Sequence, residues 1–355
     1  MGKWISQVQT VIGLEIRKTF FSRRGLWVYL LAFAPALLWF VHSLDAIREQ
    51  ARWRELANQE KKVSSAALRS ITEGMTKEEV EAKLGEPYAK MARVTRRGDE
   101  ISSYRYTDGE SDVILVMFNG KIGNVIRAEP FTISRDSLNF ATVFQFFYLR
   151  FAIFFGCVGI FTNLFRAEML EKSLHFYLLS PIRREVLLVG KYLAGLIATV
   201  TIFTVGTALQ LLAVAWHFQA DELNQYLANG GWGEVGAYLG VTALACLGYG
   251  SVFLTAGMVF RNPIIPAVVV LQWELANLFL PGFLKKISVI FYLQSLCPVV
   301  AQPDQDIPIP LRILSSAAEP VGAVAAITGL AIVTLAVLAF AANQARKLEI
   351  NYSTD

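Results

Sequence analysis

The residues that could carry out chemistry are few and scattered in this chain. The three histidines (His42, His175 and His217) form no HExxH pattern and fall at the ends of different apolar segments. Neither a GxSxG nucleophile motif nor a GxxxxGK[ST] phosphate-binding loop occurs. The three cysteines lack CxxC spacing, which excludes the usual zinc and disulfide patterns. We therefore predict a protein that is not an enzyme, with no catalytic residue, metal or cofactor of its own.

Two charged residues interrupt apolar segments and are the first candidates for function. Arg150 and Glu274 lie in predicted membrane spans, where an isolated charge costs about 2.5–3.5 kcal/mol on insertion scales. We expect them to form a salt bridge or to line a polar vestibule. The alternatives are that Arg150 reaches the lipid headgroups and that Glu274 is kept neutral. We expect Gln210, Gln272 and Asn277 to be hydrogen-bond partners between helices rather than substrate ligands.

A charged loop at 166–191 is the second candidate. It combines charged residues with an apolar stripe, passes through Ser180-Pro181, and leads into the next apolar segment at Gly190-Lys191. A short helix with one apolar and one charged face is suited to docking on a soluble partner. The alternative is an ordinary juxtamembrane loop whose basic residues only fix the topology.

These residues are positioned by about six apolar segments. The chain has 355 residues, of which 54% are hydrophobic and only 17% charged, and such a composition points to lipid. About 20 helical residues cross a bilayer core. The predicted spans are 25–43, 144–165, 189–215, 236–260, 264–281 and 321–343. Residues 3–21 read as an amphipathic helix in the membrane interface, and 287–296 as a re-entrant or interfacial helix.

The distribution of Lys and Arg predicts the orientation of the spans. Basic residues cluster before the first span, in the loop after the second, and in the C-terminal tail, whereas the loop 217–235 has none. Cytoplasmic loops carry the excess of Lys and Arg, so both termini are predicted to be cytoplasmic. The net charge of +4 carries no nucleic-acid signal.

Residues 44–137 differ from the rest and predict an inserted α+β domain outside the cytoplasm. After a charged helical stretch at 44–69, Thr76 and Glu79 form a capping box, and Gly85 followed by Pro87 ends that helix. Strand-like runs follow at 101–107, 112–118 and 121–127, separated by Asp-Gly and Asn-Gly turns. The domain boundaries are therefore 1–43, 44–137 and 138–355.

Within this domain, the stretch Gly-Met-Thr-Lys-Glu-Glu-Val-Glu-Ala-Lys-Leu-Gly-Glu-Pro at 74–87, with the later Tyr-Arg-Tyr and Phe-Asn-Gly-Lys strands, resembles the small lipoprotein of the outer-membrane β-barrel assembly machine. The resemblance covers about 60 residues. It implies a module that binds proteins or lipids. The alternative is a structural cap or a dimerisation module.

The remainder resembles the permease subunits of ABC exporters of the second class, which include drug, polysaccharide and sodium exporters. The matching features are the N-terminal interfacial helix, six spans, the Glu-containing loop after span two, and Leu-Leu-Ser-Pro-Ile-x-Arg followed by Gly-Lys. The resemblance implies that this loop and the N-terminal helix contact a separate ATPase subunit. The residues placed at that contact are Arg166, Glu168, Glu171, Lys172, Ser180, Pro181, Arg183 and Arg184.

The sequence thus predicts a polytopic α-helical protein of a bacterial inner membrane that works as the permease of an ATP-driven exporter. By the resemblance, it dimerises with a second copy or a related chain, and ATP is bound and hydrolysed on the partner subunit. The expected partners are the ATPase, the second permease and membrane lipid. The alternative is a membrane anchor or sensor that does not transport and whose outer domain binds an envelope protein.

Overall fold

The structure is a computed structural model that describes residues 2–21, 25–58, 63–94, 100–109, 111–128, 131–170, 179, 182–277, 280–299 and 321–347. The helices are α1 (Gly2–Phe21), α2 (Leu26–Asn58), α3 (Ser65–Arg69), α4 (Lys77–Leu84), α5 (Ile133–Val143), α6 (Phe154–Leu170), α7 (Arg184–Ala215), α8 (Ala220–Tyr226), α9 (Trp232–Val259), α10 (Ile264–Ala276), α11 (Gly282–Lys285), α12 (Val289–Leu296) and α13 (Ala323–Arg346). The strands are β1 (Ala89–Val94), β2 (Glu100–Thr107), β3 (Asp112–Phe118) and β4 (Lys121–Ala128). Two stretches, Phe144–Ile153 and Leu227–Gly231, have π-helical hydrogen bonding.

The chain divides into two compact units. The first comprises Met1–Phe40 and Asp136–Asp355, and the second Val41–Arg135. They are called the helical unit and the sheet unit below.

The sheet unit is built on an antiparallel meander of four strands in the order β1-β2-β3-β4. Alternate side chains, such as Tyr106, Leu115 and Met117, enter a core that is closed by Val80 of α4. Three of the strands were predicted, and β1 was missed. Its sequence, Ala-Lys-Met-Ala-Arg-Val, begins with residues of low strand propensity, so that its pairing with β2 decides its conformation.

Local signals in the sheet unit act as predicted. The capping box is confirmed: the Thr76 amide donates to Glu79 at 2.9 Å, and the Glu79 amide donates to the Thr76 hydroxyl. Asn119 and Gly120 both have positive φ, at 49° and 80°, as the hairpin turn between β3 and β4 requires. The predicted charged helix at 44–69 is instead divided into the end of α2 and the separate α3.

The chain contains helices that are long and apolar enough to cross a membrane. In the described part of the chain there are five such helical ranges: Leu26–Leu56, Ile133–Met169, Arg184–Ala215, Ala220–Val259 and Ala323–Arg346. Their length and composition are compatible with a multi-pass membrane protein. The placement of α1 in the membrane interface stays a prediction.

Close contacts between the long helices explain why glycine recurs in them. At Gly257 of α9, a Cβ atom would lie 2.6 Å from Cα of Thr162 on α6, so only glycine lets the two backbones approach. Small residues at such crossings are typical of helix packing in membranes. The core that results is rich in aromatic rings, with Phe154 packed edge-on against Tyr249 and Phe253 of α9.

The predicted fifth span is not one long helix. Helix α10 has 13 residues and is therefore about 20 Å long, which is less than the roughly 30 Å of a bilayer core. It ends at Ala276, before the helix-breaking pair Pro281-Gly282. Helix α12 follows with eight residues and confirms the predicted short helix at 287–296, although its re-entrant placement stays a prediction.

Candidate functional site

A group of four charges, three of them buried, joins α1 to the adjoining ends of α6 and α7. The Nζ of Lys191, whose side chain is fully buried, lies 2.7 Å from Oε1 of Glu15 and 2.8 Å from Oε2 of Glu168. It also donates to the Leu164 carbonyl at 2.9 Å. Lys18, at the rim, lies 3.3 Å from Oε1 of Glu168. These residues (Glu15, Lys18, Glu168 and Lys191) are called the Lys191 cluster, and their charges sum to zero.

The local sequence explains how the Lys191 cluster closes. Glu15 and Lys18 are three residues apart, so they share one face of α1 with Val11. On α7, Gly190 precedes Lys191, and a Cβ atom at Gly190 would lie 2.7 Å from the Val11 side chain. The missing side chain therefore lets α1 approach closely enough for Glu15 to reach Lys191.

Further contacts extend from the Lys191 cluster to the end of the bundle. The guanidinium of Arg183 lies 4.7 Å from the ring centre of Trp4, near the start of α1. Arg184 donates a hydrogen bond to the Arg346 carbonyl, and Arg346 pairs with Glu185 at 2.7 Å. The start of α7 thus lies beside both the N-terminal helix and the end of the last helix.

The predicted coupling residues differ in their positions. Arg183 is exposed, Arg166 and Arg184 are half-buried, and Glu168 is buried in the Lys191 cluster. Glu168 therefore holds helices together rather than facing a partner directly. The remaining four (Glu171, Lys172, Ser180 and Pro181) lie outside the described residues, as does the apolar stripe of the loop beyond Leu170.

The second site is formed where α10 and α12 meet. The Glu274 carboxylate, near the end of α10, accepts hydrogen bonds from the Ser288 hydroxyl at 2.8 Å and from the Val289 and Ile290 amides at 3.0 and 2.9 Å. The Tyr249 hydroxyl on α9 donates a fourth bond at 3.4 Å. We call this arrangement the Glu274 junction.

The Glu274 junction replaces a helix cap with a side chain from another helix. The first amides of α12 have no acceptors within their own helix, and the N-terminus of a helix carries a partial positive charge. The Ser288 side chain, at the N-cap position, makes no cap bond and instead donates to Glu274. Three close donors therefore meet at one carboxylate.

Arg150 does not form the predicted salt bridge with Glu274. The residue is 9% exposed and lies in the π-helical stretch, with its guanidinium 5.2 Å from the Phe146 ring centre. Within the described residues it makes no hydrogen bond or ion pair, and its Nε is buried without a partner. Glu274 is near enough for its charge to attract the Arg150 guanidinium, but the two groups make no direct contact. The carboxylate is already bound by the Glu274 junction, which explains the missing contact.

The three neutral polar residues behave differently from one another. The Asn277 amide donates to the Lys285 carbonyl at 3.3 Å and so joins α10 to α11, as predicted for a bond between helices. Gln210 instead donates back to Gly206 in its own helix. Gln272 is exposed and makes no hydrogen bond with the described residues, and for Gln210 and Gln272 the bond between helices stays a prediction.

A further polar pair, which the sequence did not predict, links the start of α5 to the segment after α7. Nε2 of His217 lies 2.9 Å from Oδ2 of Asp136, and both side chains are buried. In the sheet unit, Tyr88 donates to Asp112 at 2.9 Å. Burial, with this bond to a carboxylate, raises the pKa of Tyr88 to about 12, so the hydroxyl stays protonated at neutral pH. Burial also raises the pKa of Asp112.

Sequence reasoning missed the residues that close the two sites. Lys191 was noted only as a basic residue and as part of the Gly-Lys that ends the charged loop, and Glu15 received no role. The available signals were a carboxylate within an amphipathic helix and a lysine inside the first turns of an apolar one. Neither signal identifies the residue with which it pairs, because Glu15 and Lys191 are 176 positions apart in the sequence.

Comparison of the chain with family models, with curated proteins and with solved structures gives no match.

Proposed function

We propose that this chain is the permease subunit of an ABC exporter of the second class, which forms the translocation path as a dimer and is driven by a separate ATPase. The observation that carries the proposal is the Lys191 cluster. It fixes α1 to the ends of the two helices that flank the loop 166–191. The resemblance implies that these two segments contact the ATPase. A direct link between them would let a movement of the ATPase be passed to both.

The contacts at this end of the bundle support an exposed docking surface. Arg183 is exposed beside Trp4, and the pair Arg346–Glu185 brings the last helix to the same place. The charge pattern of the sequence assigns this end to the cytoplasm. Under the proposal, Arg183 and the loop contact the ATPase, while Glu168 passes the resulting force to α1.

The same contacts support six crossings with one of them interrupted. The ends of α6 and α13 both lie at the start of α7, so the chain between α9 and α13 crosses once if these helices span a membrane. Helix α12 begins at Val289, beside Gly248 in the middle of α9, and near its end Ser295 accepts a bond from the Val321 amide. We propose that α10 and α12 together make this crossing, with the Glu274 junction between them.

Interrupted helices are a known device of transporters. They place helix ends and polar backbone near the middle of the membrane, where a substrate passes. The Glu274 junction ties two half-helices with one carboxylate, so a change in these bonds would move α12 relative to α10. This is why the geometry favours a transporter over an inert anchor.

Purification of the tagged chain from its native host in mild detergent tests the proposal. We expect an ATP-binding protein in stoichiometric amount. Replacing Arg183 with Glu should release it, because reversing an exposed charge disrupts docking without disturbing a core. The matched control is Lys121→Glu, an exposed lysine of the sheet unit, which should retain the ATPase. The loop variant Glu171→Lys tests the predicted contact independently.

A second candidate function is an anchor or sensor that binds an envelope protein. The observation that favours it is the sheet unit, which has its own hydrophobic core and is larger than a simple loop between spans needs to be. The same purification distinguishes the two candidates. A preparation that lacks any ATPase, and holds an envelope protein lost on disrupting 63–128, would replace the exporter with this function.

A further inference from the structure

Arg150 differs from the other deeply buried cation of the helical unit. Lys191 has two carboxylates and a carbonyl within 3 Å. Arg150 is also buried, yet within the described residues it has no acceptor at all. Removing a charge from water is unfavourable by several kcal/mol unless an opposite charge or hydrogen bonds compensate. Among the described residues, the requirement of Arg150 for an anion is therefore unmet.

Glu274, the carboxylate near Arg150 among the described residues, does not meet this requirement. All the strong donors around Glu274 belong to the Glu274 junction, and the partial positive charge of the α12 N-terminus is directed at the same carboxylate. Glu274 and the helix terminus therefore satisfy one another. The guanidinium of Arg150 therefore has no direct counter-ion among the described residues.

The guanidinium is also reachable. Its Nε is buried, but the terminal nitrogens do not share that full burial, and the residue keeps 9% of its surface exposed. Phe146 lies at 5.2 Å, the exposed Phe147 is three residues away in the sequence, and Tyr249 and Glu274 of the Glu274 junction are also near the guanidinium. An incoming group would therefore meet a charged fork with aromatic rings on one side.

We propose that Arg150 binds the oxyanion head of an amphiphile, whose apolar chain lies along Phe146 and the exposed Phe147 of the π-helical stretch. A guanidinium presents parallel N–H groups that match a phosphate, sulfate or carboxylate. An apolar chain on the anion suits the aromatic surroundings. The site deepens the proposed function by naming a ligand class, and it exists whether or not an ATPase binds the chain.

Binding of dodecyl phosphate to the purified protein in a neutral detergent tests the proposal. Thermal unfolding should shift upward, saturably, as the probe is added, because a ligand of the folded state stabilises it. In Arg150→Gln the half-saturating concentration should rise by about tenfold or more, the effect of removing a charge-assisted hydrogen bond. Arg150→Lys, which keeps the charge but not the fork, should fall between the two.

The matched control is Lys286→Gln, which removes a cation from the exposed segment between α11 and α12. It should titrate like the wild type. Inorganic phosphate distinguishes two sources of the anion. Weak or absent stabilisation by phosphate alone supports an amphiphile. Phosphate as effective as dodecyl phosphate, with the effect lost in Arg150→Gln, overturns the role of the apolar chain.

Two other results would overturn the site. One is the absence of any saturable shift in the wild-type protein. The other is an unchanged titration in Arg150→Gln, which would make the probe a general detergent. If Arg150→Gln does not fold, Arg150→Lys decides: wild-type affinity would exclude recognition by the fork. Since no ATPase is present in this assay, its failure would leave the exporter proposal standing, and a failure to copurify an ATPase would leave this binding intact.

Discussion

The two charged sites of the helical unit solve the burial of charge in opposite ways. In the Lys191 cluster, two carboxylates and two ammonium groups contact one another directly and form a closed set. At the Glu274 junction, the carboxylate is bound by hydroxyl and amide groups, while the nearby Arg150 keeps no partner among the described residues. The charges of each site sum to zero, but only in the Lys191 cluster does every charge contact an opposite charge directly.

This difference indicates that the role of a buried charge depends on which helices it joins. The charges where α1, α6 and α7 meet hold these three helices together. Breaking their ion pairs would therefore separate the helices. At the Glu274 junction one carboxylate ties two short helices together, and the nearby Arg150 has no direct partner among the described residues. We therefore assign rigidity to the first site and responsiveness to the second.

The largest effect should come from breaking the closed set at its centre. Lys191→Met leaves Glu15 and Glu168 facing each other in a buried place, which should destabilise the folded protein by about 3–5 kcal/mol. Thermal unfolding in mild detergent, followed by intrinsic fluorescence, measures this loss. Adding Glu15→Gln and Glu168→Gln should restore part of the stability, because no buried charge then lacks a partner. A single variant as stable as the wild type would show that the cluster does not hold α1.

A smaller effect is expected at the Glu274 junction. Glu274→Gln keeps the size of the side chain, but removes the charge and turns an amide donor toward the donors of Ser288 and α12. We expect a loss of about 1.5–3 kcal/mol, the range for hydrogen bonds to a charged group, in the same unfolding measurement. Gln272→Ala, two residues earlier on an exposed position, is the control and should change little. Equal effects of the two substitutions would argue against a special role for the carboxylate.

The contact that allows the closed set to form can be tested without touching a charge. Gly190→Ala introduces a Cβ atom 2.7 Å from the Val11 side chain, and should cost about 1–3 kcal/mol through overpacking. It should also make α1 more accessible to limited proteolysis, since the helix is pushed away from α7. Gly13→Ala on α1 is the matched control, because its Cβ would meet no atom within 4 Å. If Gly13→Ala opened α1 equally, the contact at Gly190 would not be the cause.

The sequence predicted the features that depend on neighbouring residues. The capping box at Thr76 and the turn at Asn119-Gly120 are properties of four-residue patterns, and both occur as expected. The long apolar helices follow from composition over about 20 residues. Strand β1 was missed because its residues have weak intrinsic preference, and only pairing with β2 makes them a strand.

The candidate sites could be predicted only in part. Arg150 and Glu274 were recognised, since a charge within an apolar run is visible in one dimension. Their partners were not, because the acceptor side of Glu274 is filled by backbone amides, which every residue carries. The predicted pairing of the two charges assumed that opposite charges at similar depth must meet. Instead, three donors at the start of α12 bind the carboxylate: the Ser288 hydroxyl and the Val289 and Ile290 amides.

The smallest effect should come from the rim of the Lys191 cluster. The Lys18 side chain is 58% exposed and pairs with Glu168 at 3.3 Å, so water and salt weaken its attraction. Lys18→Gln should therefore lower the free energy of unfolding by about 0.2–1 kcal/mol, and the difference from wild type should shrink as salt is added. The loss in Lys191→Met should persist at high salt, because a buried charge is screened much less. The contrast also measures how closed the cluster is: a Lys18→Gln effect that is large and insensitive to salt would mean that the rim is dry, and that all four charges form a single buried group.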